Sequence, residues 1–480
     1  MFRNKIIAII LVTLLVISVI RYFLSVETAL SKASLAITII TSFLTFLLLL
    51  CIKESKNILK NNYLKIGFIF SISFLVVHFF EYLGYTIGVK EFLVSSGSYQ
   101  LKHVNESAIC SSCAYISFIL GYVIMVKRSE TLNSKKRFTS FSIVFLDVLM
   151  IVSVFLFYFF ADKQYFESGG NYYILNNGGL SPLASISQVT FLGTQAAYSI
   201  AKIKEGKSIS FKKYPFSFSK LYYVSLLFYI ILLLKSGDRG PILYVIISYS
   251  LPYFINKRKK LKLRMAIAGI IVGIIGLNFL GILRNLSGEL SYEKIGETNA
   301  KMQDMYEGES VLFASTEQLS NVVRAYNVVY DFTQNNGTIK GLGFLNNLIG
   351  FIPGLRSYVI YPSLGVDEST LALLSTDSLS TLLLNSDHGM GTTCVGDTYY
   401  NFGFIGTIIL FFIFGSVIRK FDNVIFSFED CSLFVYICAF WYFIFAIYIG
   451  RSSLLVPLSY CGYTYVIMIL SKKIYKKSFK

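Results

Sequence analysis

Three arginines lie where an apolar segment of the sequence meets a polar one: Arg239, Arg284 and Arg451. A charged side chain is costly at such a boundary unless it faces a cavity or a partner. Arginine presents a planar fork that holds phosphate or carboxylate through paired hydrogen bonds, which lysine cannot do. With Arg356, these arginines predict an anion site, although snorkelling and local salt bridges would also explain each of them singly.

The short turn Lys235-Ser-Gly-Asp-Arg-Gly240 stands directly before Pro241. Its glycines permit a tight turn, and proline suits the first turn of a helix. A helix N-terminus has free backbone N–H groups, and beside Arg239 these would bind an anion. Asp238 would either orient Arg239 or act as a base. An ordinary hairpin turn between two helices is the alternative.

A glycine-rich stretch from Ser386 to Gly406 carries further titratable groups, His388 and Asp397 among them. Glycine lets a backbone approach a ligand closely. Histidine ionises near neutral pH and therefore suits proton transfer. We expect His388, Asp238 or Asp397 to serve as the catalytic base, whereas a solvated loop histidine is the alternative for His388.

Other chemical signals are weaker. His78 and Glu81 stand three residues apart and could pair on one helical face. Cys110-Ser-Ser-Cys113 has no second cysteine pair, so small residues at a helix end explain it better than redox or metal chemistry. Walker A, HExxH, GxSxG and DxD motifs are all missing from the sequence, so a phosphate-binding loop, zinc proteolysis and a metal-chelating sugar-nucleotide site lack support, and we expect no cofactor.

The elements that must position these residues are membrane spans. The chain has 480 residues, of which 54% are hydrophobic and 15% charged, against about 25% charged in soluble proteins. A span needs roughly 20 apolar residues. We predict an all-α polytopic membrane protein with about twelve spans: Ile6–Leu24, Leu35–Ile52, Leu64–Leu83, Ala114–Val126, Phe141–Phe160, Leu183–Ile203, Leu221–Leu234, Pro241–Ile255, Met265–Leu283, Tyr399–Ile418, Cys431–Ile449 and Ser453–Leu470.

The net charge of +17 follows from the connections between these spans. Most lysines and arginines fall in alternate connections, which the positive-inside rule assigns to the cytoplasm together with both termini. The charge therefore indicates membrane topology rather than binding to nucleic acid.

One long polar segment, Arg284–Asp397, separates the ninth and tenth predicted spans. We predict three regions: spans one to nine over residues 1–283, an extracytoplasmic loop domain over 284–397, and spans ten to twelve over 398–480. Amphipathic spacing within Val311–Phe332 and Thr370–Leu384, and the apolar run Gly341–Pro353, predict short helices on the outer membrane surface. A separately folded lid without catalytic residues is the alternative.

Three pieces of the sequence resemble the bacterial O-antigen and capsule polymerases of the Wzy type, a superfamily shared with the O-antigen ligases. They are Ser236-Gly-Asp-Arg-Gly-Pro241, the stretch Gly396–Gly406 with its Asn-Phe-Gly, and Gly450-Arg451. The resemblance implies a GT-C-like helical membrane glycosyltransferase in the bacterial cytoplasmic membrane. It would join undecaprenyl-diphosphate-linked oligosaccharide repeat units into O-antigen or capsular polysaccharide on the outer face, with inversion and without a metal.

The resemblance also implies roles for residues and partners. Arg239, Arg284, Arg356 and Arg451 would hold the diphosphate of the lipid-linked donor or acceptor, while His388 or an aspartate assists the attacking hydroxyl. A chain-length regulator and a flippase would be further partners besides the bilayer.

Two other functions are alternatives: the sequence does not separate the first from a polymerase, and the second fits it less well. An O-antigen ligase would use the same chemistry with a different acceptor. A twelve-span transporter or flippase should carry repeated halves and polar residues near the bilayer centre, and this sequence has neither pattern.

Overall fold

The computed structural model describes residues 2–25, 30–54, 59–60, 62–89, 95–96, 99–100, 102–126, 141–167, 180–206, 209–236, 238, 240–257, 260–262, 264–265, 268–269, 322–352, 355, 361–364, 373–385, 390–427 and 431–478. Nearly all of the regular structure in these residues is helical.

The helices, in chain order, are α1 (Phe2–Leu24), α2 (Lys32–Leu50), α3 (Ile66–Thr86), α4 (Val104–Ile124), α5 (Ile143–Phe160), α6 (Lys163–Glu167), α7 (Pro182–Glu205), α8 (Lys220–Ser236), α9 (Gly240–Asn256), α10 (Val322–Asn336), α11 (Leu342–Ile349), α12 (Tyr361–Leu364), α13 (Thr376–Leu383), α14 (Cys394–Ser427), α15 (Leu433–Phe445) and α16 (Val456–Ser478). Short 3₁₀ turns cover Phe211–Lys213, Pro215–Ser217 and Ile449–Arg451. A two-residue antiparallel ladder pairs β1 (Ser95–Ser96) with β2 (Tyr99–Gln100).

Several apolar helices begin at a serine. The hydroxyls of Ser31, Ser142, Ser181 and Ser432 each accept the backbone N–H three residues later, at the starts of α2, α5, α7 and α15. Such caps satisfy amide groups that the first turn of a helix leaves unpaired. The polar residue between two apolar runs therefore sets where each helix starts.

Within the described residues, α1, α2, α3, α4, α5 and α14 are long and apolar enough to cross a membrane, and α15 is a shorter apolar helix. Every predicted apolar segment except the ninth overlaps one of the helices, and Met265–Leu283 lies almost wholly outside the described residues. The polytopic helical architecture is thus confirmed, while the number of twelve spans stays a prediction.

Helix α4 begins ten residues earlier than predicted, at Val104 rather than Ala114. Its first turns carry Asn105 and Glu106, which are buried, and hydropathy alone does not favour a span there. The prediction that Cys110 and Cys113 mark a helix end is therefore wrong. Both cysteines are buried and free inside α4.

The core is built around α4, which is buried on almost all sides. It crosses α14 at two glycines. A Cβ atom added to Gly121 would stand 2.0 Å from the carbonyl oxygen of Phe412, and one added to Gly415 would stand 1.9 Å from that of Phe118. Because neither position has room for a side chain, the two backbones pack directly against each other, as small residues allow in membrane helices.

The connections fall into two groups at opposite ends of the helices. At one end, the Asn4 side chain bonds the backbone of Lys53, and the Tyr63 N–H donates to the Leu261 carbonyl. These residues belong to connections predicted as cytoplasmic. The other end, called the loop end, carries α10 to α13. Three connections predicted as cytoplasmic thus lie together at one end, while the full alternation and the end that faces the cytoplasm stay predictions.

A buried ionic cluster closes the end opposite the loop end. Arg419 is fully buried and directs its guanidinium fork to Glu54, with Nη1 3.0 Å from Oε1. Asp422 accepts the Ile66 N–H at 2.7 Å and the Tyr122 hydroxyl at 2.7 Å. The cluster joins α3, α4, α14 and the connection before α3. Arg419, which the sequence places in a connection predicted as cytoplasmic, therefore also has a structural role.

Candidate functional site

Helix α10 is part of the helical body at the loop end, and most of its side chains are buried. The Arg324 guanidinium pairs with Glu81 on α3 at 2.9 Å. Asn327 accepts hydrogen bonds from Tyr82 at 2.8 Å and from Ser107 at 2.6 Å. Since buried polar groups need partners, these contacts seat the loop helix on α3 and α4.

The predicted pairing of His78 with Glu81 is wrong. The Glu81 carboxylate binds Arg324, and the His78 ring lies against Phe74, with Nδ1 3.1 Å from the Phe74 carbonyl oxygen. The prediction was wrong because the arginine that pairs with Glu81 lies in a loop more than two hundred residues away in sequence.

A chain of hydrogen-bonded side chains also connects α10 to α1 and α14. The Tyr22 and Tyr330 hydroxyls lie 2.6 Å apart. The Gln334 amide donates to Tyr399 at 2.7 Å and to Tyr330 at 3.0 Å. The ring of Tyr22 stacks on Phe404 with centroids 3.7 Å apart. The start of α14 is thereby tied to the loop helix and to the first helix of the chain.

Helix α14 is broken at Gly403, whose φ of 68° and ψ of −169° are open almost only to glycine. Near the break, backbone carbonyls turn to the loop: Tyr400 O accepts the Ile339 N–H at 3.0 Å and Asn401 O accepts the Gly341 N–H at 2.9 Å. The Asn401 side chain also accepts the Phe344 N–H at 3.1 Å. Residues of the loop therefore hydrogen-bond to the tenth predicted span at its Asn-Phe-Gly sequence.

Helix α11 bridges two parts of the loop end. Its first residues bind Asn401, as described, and the Asn347 side chain donates to the Ser453 hydroxyl at 3.2 Å. Ser453 lies in the turn between α15 and α16, and its hydroxyl also lies beside the Asp397 carboxyl. The carboxyl of α14 and the turn that carries Arg451 are thus held next to each other.

Arg451 ends the 3₁₀ turn Ile449–Arg451, which rests on α3 through the bond from Ser73 to the Ile447 carbonyl. Its guanidinium lies over Gly391, with Nε 3.7 Å from the position of an added Cβ atom. In the described part of the chain, no acceptor lies within hydrogen-bonding distance of this guanidinium. A half-buried arginine fork without an acceptor among the described residues is suited to an anionic ligand.

Asp377 on α13 lies within electrostatic reach of Arg451, and the sequence did not single it out as a site residue. Its Oδ1 accepts the Gly391 N–H at 2.6 Å. Burial raises the pKa of the Asp377 carboxyl, and the Gly391 N–H and the charge of Arg451 act in the opposite direction. The amphipathic spacing of Thr370–Leu384 correctly indicated a helix there, yet it gave no sign that Asp377 would meet Arg451.

Asp238 lies at the start of α9 and accepts a hydrogen bond from Tyr165 at 3.3 Å. Its Oδ1 stands 3.9 Å from an added Cβ atom on Gly240. The Tyr448 hydroxyl lies within electrostatic reach of Asp238, Asp377 and Arg451. The turn before Pro241 and the turn of Arg451 therefore share one region of the loop end.

Asp397 stands in the first turn of α14 and is 4% exposed. Its backbone carbonyl accepts the Asn401 amide at 2.8 Å. Its carboxylate atom Oδ2 is buried and has no hydrogen-bond partner among the described residues. A buried carboxylate oxygen without a partner is costly, and such groups are concentrated at functional sites.

Of the predicted site residues, the structure brings Asp238, Asp397 and Arg451 to the loop end. Arg239, Arg284, Arg356 and His388 lie outside the described residues. Within the described ranges, no group of three or more His, Cys, Asp or Glu side chains could hold a metal ion.

Six helices that could span a membrane, with a buried carboxylate and an arginine fork at one end, define a multi-pass helical membrane protein with a polar site near a membrane surface. The family comparison agrees with this class and narrows it. The model of the O-antigen polysaccharide polymerase Wzy family matches residues 6–479, and the chain belongs to that family. No curated protein and no solved structure matches the chain.

Proposed function

We propose that this chain polymerises oligosaccharide repeat units carried on undecaprenyl diphosphate, and that the transfer takes place at the loop end between Asp238, Arg451 and Asp397. Family membership supports O-antigen polymerisation in general. The observation that carries the choice of site is the Arg451 guanidinium, which has no hydrogen-bond acceptor in the described part of the chain and lies in the region of the aspartates.

The proposed reaction transfers the growing chain to the incoming unit. A hydroxyl oxygen of the acceptor sugar attacks the anomeric carbon of the donor chain, and the bond from that carbon to the diphosphate oxygen breaks. The electron pair stays on the phosphate oxygen, and the hydroxyl proton passes to a base. Attack opposite the leaving group inverts the sugar carbon, and no nucleotide is consumed because the diphosphate is already in place.

Arg451 carries the electrostatic part of this proposal. Negative charge gathers on the departing phosphate oxygens, and a guanidinium fork fixed in advance stabilises it without reorganisation. Arg239, Arg284 and Arg356 are proposed to complete the grip. Fixed guanidinium groups would supply the charge that a metal ion supplies elsewhere, which makes the proposed chemistry independent of metal.

Asp397 is the proposed base. Its Oδ2 atom lacks a partner in the described residues, whereas the Asp238 carboxylate already accepts the Tyr165 hydroxyl. Asp238 is proposed to orient Arg239, its neighbour in the turn, and His388 to assist the acceptor from the segment before Met390. A base within reach of the hydroxyl proton contributes roughly 10²–10⁴-fold to rate.

We place this site on the outer face of the bacterial cytoplasmic membrane, with both termini in the cytoplasm. The division into 1–283, 284–397 and 398–480 belongs to this proposal, with the middle region forming the outer loop. A flippase would deliver the repeat units to this face, and a chain-length regulator would act beside the polymerase.

The test uses purified full-length protein in nanodiscs with an undecaprenyl-diphosphate repeat unit, EDTA and no nucleotide sugar. A ladder of polymer is expected. Arg451→Lys should lower ladder formation by roughly 10²–10³-fold, because a point charge lacks the fork. The matched control is Arg21→Lys, since Arg21 also lies at the loop end but bonds the Ser34 carbonyl.

A full ladder from the Arg451→Lys protein would contradict the role of Arg451. A protein that makes no ladder but transfers preformed polymer to a lipid A acceptor would be a ligase.

A further inference from the structure

The polar face of α13 binds one short stretch of backbone, Met390–Thr392. Four side chains of the helix take part, and each bonds a group of this stretch. They are Asp377 with the Gly391 N–H at 2.6 Å, Thr381 with the Met390 N–H at 3.1 Å, Ser380 with the Gly391 carbonyl at 3.1 Å, and Thr376 with the Thr392 hydroxyl. We call this set of bonds the α13 clamp.

The clamp centres on Gly391, whose φ is +78°. Only glycine adopts such a conformation routinely. An added Cβ atom would lie 3.1 Å from Val322 Cγ1, 3.7 Å from Arg451 Nε and 3.8 Å from Arg451 Nη2. The guanidinium therefore lies over backbone that carries no side chain, so the position of Gly391 limits where the fork can lie.

Asp377 acts on Arg451 in two ways. Its carboxylate holds the Gly391 N–H in the shortest of the clamp's bonds to a backbone group, and its negative charge attracts the guanidinium. Charge-assisted hydrogen bonds of this kind are stronger than neutral ones. Among the clamp residues, only Asp377 combines a bond to the backbone beneath the fork with a charge that faces the fork.

We propose that Asp377 is a positioning residue of the lipid-diphosphate site: it fixes Gly391 beneath Arg451 and so presents the guanidinium fork to the ligand. This inference rests on the proposed function, because it takes Arg451 as the group that binds the diphosphate. Asp377 touches no substrate itself. The effect of replacing Asp377 should therefore depend on whether Arg451 is present. A general role of Asp377 in folding the loop would give the same effect with and without Arg451.

The test is a double-mutant cycle on ligand binding. The full-length protein in nanodiscs is titrated with undecaprenyl diphosphate, and the Kd is measured for the wild type, Asp377→Ala, Arg451→Ala and the double variant. We expect Asp377→Ala to weaken binding roughly ten-fold when Arg451 is present, and less than two-fold when Arg451 is alanine. Asp377→Asn keeps an oxygen for the Gly391 N–H and should recover part of the affinity.

The matched control is Asp331→Ala. Asp331 also accepts backbone N–H groups at the loop end, from Lys102 at 2.9 Å and His103 at 3.0 Å, but none of these bonds involves the Met390–Thr392 stretch. This variant should lower the melting temperature and leave the Kd unchanged.

An equal loss from Asp377→Ala in both backgrounds, or no loss with Arg451 present, overturns the inference. Because this experiment measures binding without turnover, the polymerase function can be refuted independently of the positioning role of Asp377. A protein that shows the expected coupling but makes no polymer ladder would keep the positioning role of Asp377 and refute the polymerase.

Discussion

Replacing Gly403 by alanine should undock the loop from α14. The backbone at this position has φ 68° and ψ −169°. The only described atom that an added Cβ atom would approach within 4 Å is Thr338 Cγ2, at 3.6 Å. Space is therefore not the obstacle, and the whole effect of the substitution comes from the backbone conformation.

The size of the effect follows from that conformation. A side chain in this region of φ/ψ space costs about 1–3 kcal/mol. A regular α-helix through position 403 would relieve the strain. It would also withdraw the carbonyls of Tyr400 and Asn401 from the N–H groups of Ile339 and Gly341. A strain of about 2 kcal/mol shifts the balance toward the undocked state by roughly 30-fold.

Two measurements on the purified protein check this. The melting temperature in detergent, measured by circular dichroism, should be lower for Gly403→Ala than for the wild type. The polymer ladder should shorten or vanish. Gly206→Ala is the matched control. Gly206 also has a positive φ, 65°, and apart from its chain neighbours no described atom lies within 4 Å of an added Cβ atom, but it ends α7 at the opposite end from the loop. It should show a lower melting temperature with an intact ladder.

The reasoning is refuted if Gly403→Ala melts like the wild type and makes a normal ladder. A loss of ladder in both glycine variants would also count against it, because backbone strain anywhere in the protein would then suffice.

Two further predictions concern buried carboxylates. Asp397→Asn should lower the polymerisation rate by roughly 10²–10⁴-fold, as expected for a lost base. The melting temperature should stay equal or rise, because the substitution removes a buried charge that has no ion-pair partner among the described residues. A normal rate would exclude Asp397 as the base. Glu54→Ala strands the buried Arg419 charge and should destabilise the protein by about 3–5 kcal/mol in denaturant unfolding, whereas Lys65→Met, which removes the more exposed partner of Glu54, should cost far less. Burial opposes ionisation of Glu54, yet the bonds from Arg419 keep its pKa below the ordinary 4.5. The stability that the pair provides should therefore be complete above about pH 4.5 and be lost as the pH falls through the lowered value.

The helices could be predicted from the sequence because their signals are local. Apolar runs predicted the spans and, over Gly341–Pro353, the short helix α11, while amphipathic spacing predicted α10 and α13 in the loop. Helix α4 shows where this reasoning stops. Its early turns contain Glu106 and Asn105, and a local hydropathy pattern cannot show that the Ser31 N–H and the tyrosines of α10 will meet them.

Only part of the site could be predicted, because only some of its residues have a local signal in the sequence. Arg451 stood out because a charge at a span boundary is unusual in itself, and Asp397 stood out as a titratable group in a glycine-rich stretch. Asp377 did not stand out, since an aspartate on the polar side of a loop helix is ordinary until the fold brings Arg451 to it. Arg419 was assigned to topology because its partner Glu54 lies in a connection far away in the sequence.

The direct backbone contact between α4 and α14 has a consequence for how this protein can change in evolution. At Gly121 and Gly415 a carbonyl oxygen of the facing helix occupies the place of a side chain, so a rotation of either helix that brought a residue with a Cβ atom to this contact would cause a clash. An inserted residue between Gly403 and Gly415 would rotate everything before it by about 100°, which would swing Asn401 away from Phe344. The length of that stretch should therefore tolerate change less well than its apolar side chains, and a one-residue insertion there should undock the loop.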